Sequence, residues 1–159
     1  MVDNNFVDGM AVQIRLMEQA KQAGDLPADL HVFTKTQDDQ SKYLPALVMV
    51  RSGGASLRPE FQSDYFMRYL VWSGVTTEFP NDPYKAAEQL SLKVARALYA
   101  AKKNQTVALD VDGHALGWIA DWRESSGFQD FSDASLPNNV GRYLGVYDLK
   151  IRNRRPKSV

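Results

Sequence analysis

The sequence predicts an α+β fold, a mainly antiparallel sheet flanked by helices, and three observations carry this. An uninterrupted amphipathic stretch runs from Asn81 to Lys103. Strand-like segments lie in runs on both sides of it, where a parallel sheet would alternate strand and helix. Asp112-Gly113 sits between two strand patterns, a strong local hairpin signal.

In chain order, Phe6–Ala23 reads as a first helix, with Phe6, Met10, Ala11, Ile14 and Met17 on one face. Asp3 or Asn4 is placed to cap it, and Gly24 to end it. Leu30–Lys35 is a short strand and Thr36–Lys42 a polar loop. Tyr43–Arg51 is a strongly apolar strand, with Pro45 near its start and Gly53-Gly54 at its end. Asp64–Ser73 is a second strand, rich in aromatics. The intervening loop contains Arg58 and is long for a hairpin.

The central helix has Asp82 placed as N-cap and Pro83 at the first helical position, where no N–H is needed. Ala87, Leu90, Val94, Leu98 and Ala101 form its apolar stripe. Lys102 and Lys103 suit the carbonyl end of the dipole. Gln105–Val111 and His114–Arg123 then form a hairpin about a two-residue Asp112-Gly113 turn. Glu124–Asn139 is rich in Gly, Pro, Asp and Asn and reads as irregular. Val140–Arg152 closes the fold as a long strand. Residues 1–152 are expected as one domain and 153–159 as a frayed basic tail.

The chain has 159 residues and no net charge, but the charge is unevenly spread. Lys150, Arg152, Arg154, Arg155 and Lys157 stand together with no acid among the last ten residues. Residues 1–149 therefore hold fourteen positive against nineteen negative side chains. A basic end on an acidic body suggests a charged partner, or a solvated terminus that aids solubility. The chain has no cysteine, which excludes disulfides and thiolate chemistry. No stretch approaches the length of a membrane span, and the first ten residues do not read as a signal peptide.

Candidate chemistry is sparse. Asp110, Asp112 and His114 have metal-ligand character, but the turn explains that string better. No phosphate loop or nucleophile elbow is present. Trp72, Trp118 and Trp122 offer stacking surfaces for bases, yet core or interface packing fits them better. Trp118 and Trp122 would share one face of a regular strand. No catalytic residue, metal or cofactor is assigned. A metal-dependent hydrolase and a nucleic-acid-binding module remain as alternatives from other classes.

Taken together, several segments carry a resemblance. They are ALVMVRSGG at Ala46–Gly54, the DYFMRYLVWS strand, the AAEQLSLKVARAL helix, Arg142-Tyr143 after an Asp/Pro/Asn-rich loop, and a strand ending LKIR. Over about Leu30–Arg152 the chain resembles the tail terminator (tail completion) proteins of long-tailed bacteriophages, especially those of actinobacterial hosts. The resemblance implies a non-enzymatic virion protein, made in the host cytoplasm and placed at the head-proximal end of the tail. It implies a ring, typically a hexamer, that caps the tail tube. Its implied partners are its own copies, the major tail tube protein and the head–tail connector, with a passing contact to genomic DNA and none to a membrane. Another neck or minor tail protein is the nearest alternative. Matched positions are Arg51, Gly53, Gly54 and Arg142-Tyr143. Arg58, Arg152, Arg154 and Arg155 join Arg51, Gly53, Gly54 and Arg142 as candidate interface residues, because a long loop and a basic end suit contacts between subunits.

Overall fold

In the computed structural model, residues 7–54 and 61–153 are described. Helix α1 spans Gly9–Gln22 and begins later than its apolar pattern suggests. Asp8 is the cap: its Oδ1 accepts from the Ala11 amide at 3.0 Å. The positions predicted to cap it, Asp3 and Asn4, lie outside the described residues. The buried face of α1 is Val12, Gln13, Leu16 and Met17, with Met10 and Ile14 at its margins. Gln13 conceals this face from a hydropathy reading. It is fully buried because the Tyr69 hydroxyl donates to its Oε1 at 2.6 Å.

Six strands form one sheet: β1 (His31–Phe33), β2 (Ala46–Gly53), β3 (Gln62–Ser73), β4 (Ala108–Leu109), β5 (Ala115–Asp130) and β6 (Gly141–Arg152). Their order is β1-β2-β3-β6-β5-β4. All pairs are antiparallel except β1 with β2. Helix α2 spans Pro83–Lys103, and the Asp82 carboxylate accepts from the Lys85 amide at 2.9 Å. Its predicted stripe is buried, from Ala87 to Ala101, and packs on β3, β5 and β6. The core-facing side chains Met67, Tyr69, Leu149, Ile151 and Ile119 meet Val12 and Leu16 of α1 and Val94 and Leu98 of α2 in one cluster. Both helices thus cover the same face of the sheet. The other face carries a smaller cluster at one end, built on Ala46, Val48, Trp72 and Val140.

Two strands depart from expectation. β4 is shorter than Gln105–Val111 because α1 takes over its backbone groups. Gln19 accepts from the Leu109 amide at 2.9 Å and donates to the Val107 carbonyl at 3.3 Å, and Arg15 donates to the Leu109 carbonyl at 2.7 Å. β5 does not stop at Arg123 but runs on to Asp130, through three register shifts against β6. Those shifts absorb the small and polar residues that read as a loop. Gly127 is one of them: a Cβ there would lie 2.0 Å from Glu124 Oε1. The first shift also separates the two tryptophans. Trp122 lies opposite Leu149 and stacks on Tyr147, whereas Trp118 lies opposite Arg152 on the other face.

Candidate functional site

The Arg-x-Gly-Gly string closes the end of β2. Pairing with β3 shifts between Arg51 and Gly53. The Arg51 guanidinium donates to the carbonyls of Gly53 (3.1 Å), Gly54 (3.4 Å) and Asp64 (3.0 Å). It also lies 4.0 Å over the Tyr65 ring. Gly54 has φ +114, and a Cβ there would stand 2.1 Å from the Asp64 carbonyl oxygen. Only glycine permits this close approach. The Tyr65 hydroxyl in turn accepts from the Gly9 amide at 2.8 Å, so this corner also anchors α1.

Arg142 holds the chain between β5 and β6. It donates to the Phe131 carbonyl at 2.9 Å and pairs with Asp133 at 3.3 Å. The rings of Trp72 and Phe131 lie 4.9 and 4.6 Å from it. Arg152 donates to the Gln62 side chain at 2.8 Å. The sheet brings Gly53, Gly54 and Arg152 to the end where β3 starts, and Arg142 to the opposite end. Arg58, Arg154 and Arg155 lie outside the described residues.

The Asp112-Gly113 turn is a three-residue loop, Val111-Asp112-Gly113, and not the two-residue turn expected. The Asp110 amide donates to the His114 carbonyl at 2.9 Å, and the Gly113 amide to the Asp110 carbonyl at 3.0 Å. Gly113 alone in this loop has positive φ, at 83°. That is the pattern of a type I turn completed by a left-handed glycine. Asp110 Oδ1 accepts from the amides of His114 (2.8 Å) and Asp112 (2.9 Å). The His114 amide is the largest cause holding the Asp110 carboxyl below its usual range. The ligand atoms of Asp110, Asp112 and His114 lie within 4.8 Å of one another. Their arrangement is accounted for by the turn, since one Asp110 oxygen is already committed to two amides.

A third surface was not singled out in the sequence. α2 and the second half of β5 enclose a groove of about 530 Å³. Leu92, Trp122, Phe128 and Tyr143 give it an apolar and aromatic lining, with Glu88, Glu124 and Asp130 among the same wall residues. Glu88 pairs with Lys85 at 3.2 Å, while neither Glu124 nor Asp130 is in an ion pair among the described residues. The Tyr143 hydroxyl is pushed up by burial first and then by the charges of Glu88, Asp130 and Asp82. Exposed Tyr84, Leu92 and Tyr99 mark the solvent side of α2 nearby. Their spacing along α2 was the available signal, obscured by the lysines and arginine between them. A further cleft, of about 560 Å³, lies between residues 74–79 and α2 and is lined by Leu44, Phe79, Leu90 and Lys93.

No protein-family model and no curated protein matches the chain. No helix among the described residues is long and apolar enough to cross a membrane.

Proposed function

We propose that the protein is a structural subunit of a long-tailed bacteriophage, a tail terminator that forms a ring, caps the tail tube and presents a surface to the head connector. One observation supports this reading above the others. The segments that carry the resemblance, ending at Gly54, Ser73 and Arg152, are adjacent strands β2, β3 and β6 of one sheet. The residues that follow β2 and β6 therefore leave from the same end of the subunit. Contacts made there by each of six subunits are individually weak and become strong together, because all engage the tube at once. The subunit acts by binding and carries out no reaction. Its site in the particle is the head-proximal end of the tail, and its partners are its own copies, the tube protein and the connector.

The test is a phage lysate lacking this gene. Tails of unregulated length, or finished tails unable to join filled heads, are expected. Normal infectious particles from that lysate would overturn the assignment.

A further inference from the structure

We infer that the groove between α2 and the second half of β5 receives the basic segment that follows β6 in a second copy of this chain. The inference rests on the proposal that the subunit assembles with itself, and it locates the receiving surface. The groove combines aromatic rings with carboxylates, the lining that suits arginine. A guanidinium stacks on an aromatic face and pairs with a carboxylate through the same planar group. Trp122 and Phe128 supply the rings, and Glu124 and Asp130 supply carboxylates with no ion pair among the described residues. The one dense run of cations in the chain is Arg152, Arg154, Arg155 and Lys157, unaccompanied by acid.

The geometry directs this segment to a neighbour. Along β6 the groove is lined by Tyr143 and Tyr147, and Arg152 lies five residues beyond Tyr147. At about 3.3 Å per residue that separation is roughly 17 Å. Arg155 stands three residues past Arg152, a reach of at most about 11 Å. Arg152 also lies opposite Trp118 and Gln62, on the face away from the helices. Trp122, opposite Leu149, is only three residues from Arg152. Asp130, opposite Tyr143, is nine residues and roughly 30 Å away, so a chain's own Arg154 and Arg155 fall short of Asp130. The Asp130 end of the groove and the segment after Arg152 lie at opposite ends of β6, so a contact that engages Asp130 is head-to-tail, the kind that propagates round a ring.

Sedimentation velocity of the full-length chain at low salt, over a range of concentrations, tests this. The wild type is expected to associate as concentration rises. Glu124→Lys with Asp130→Lys, both exposed positions, should weaken association by about tenfold or more, as should Arg154→Glu with Arg155→Glu. Mixing these two variants should restore association, because an intact segment meets an intact groove and a reversed segment meets a reversed groove. All four changes in one chain should restore association through reversed charges. Circular dichroism checks that each variant stays folded. A groove variant that associates like the wild type would overturn the inference, as would a mixture that stays monomeric or a wild type monomeric at every concentration. Normal particles from the gene-deletion lysate would remove the terminator reading and leave this contact standing. Loss of the contact with the deletion phenotype intact would do the reverse.

Discussion

Strand β6 has two neighbours, and they treat it differently. Against β3 it pairs without interruption from Gln62–Arg152 to Ser73–Gly141. Against β5 the register shifts three times. The regular pair keeps strict alternation: Tyr65, Met67, Tyr69 and Val71 face the helices, opposite Leu149, Tyr147, Gly145 and Tyr143. The irregular pair breaks it, so that Ile119 and Trp122, three residues apart, both face the core. Regular pairing builds the platform under α2. The bulges bend the other strand, and the groove opens where they are concentrated.

Single-residue deletions should separate the two most sharply. Deleting Leu144 from β6 would turn Tyr147, Leu149 and Ile151 out of the core. That loss exceeds the roughly 5–15 kcal/mol total stability of a typical domain, so the protein should not fold. Deleting Ala120 removes a bulged residue and keeps Ile119 opposite Ile151 and Asp121 opposite Lys150. It should cost about 1–2 kcal/mol, with Tm falling by roughly 2–4 °C for each kcal/mol. Thermal melts followed by circular dichroism compare them, and equal damage from both deletions would contradict the register described.

The tryptophans give the next largest contrast. Trp122→Ala should cost about 2–3 kcal/mol, since the ring stacks on Tyr147 and meets Tyr99. Trp118→Ala, on the opposite face, should cost under about 1 kcal/mol. Urea titration measures both, and a reversed order would mean that the first bulge is misplaced.

Glycines sharpen the comparison on a smaller scale. Gly117 in β5 has φ +153, and a Cβ there would lie 2.3 Å from the Arg152 carbonyl oxygen. Gly117→Ala should cost about 2–3 kcal/mol, because backbone must move. At Gly145 in β6 the nearest atoms are ring carbons of Tyr147 (2.8 Å) and Phe128 (3.0 Å). Rings can rotate away, so Gly145→Ala should cost about 1 kcal/mol by the same urea titration.

The smallest effect is alkaline. Burial raises the Tyr69 phenol well above its usual range. Burial, then the Glu124 charge, raises Tyr147 to about 12. Both folded values exceed the unfolded value of about 10, so this stabilisation is complete below that pH. It is lost as pH rises from there toward 12. Glu124→Gln should lessen the loss by removing one repulsion from Tyr147. Melts between pH 9 and 12 on both proteins would show it, and parallel curves would exclude the coupling.

Legibility in the sequence follows the range of the interactions. α2 is readable because its signals are local: Asp82 caps Lys85, Pro83 opens the helix and the stripe repeats. β3 and β6 are readable because alternation survives in them, and β2 because it is a continuous apolar run buried on both faces. The second half of β5 is hidden because its bulges carry turn-like residues, and α1 is legible as a helix but not in its buried face, whose centre is Gln13 with its partner Tyr69 far along the chain. The same holds for the site. Arg51 and Arg142 stand out as residues, but the carbonyls of Asp64 and Phe131 that occupy them are set by folding. The groove is still less visible, since α2 supplies Glu88 and β5 supplies Glu124 and Asp130.

The pairing of β3 with β6 also has a consequence in time. Everything from residue 74 to residue 140, both α2 and the β4–β5 hairpin included, is made between the two strands. At roughly 5–20 residues per second, β3 waits several seconds for its partner during synthesis. Through that interval the edge carrying Tyr65, Met67 and Tyr69 has β2 on one side only. The nascent chain thus exposes its most aromatic strand until β6 emerges, and this is the stage at which the protein is most open to chaperones and to wrong strand partners.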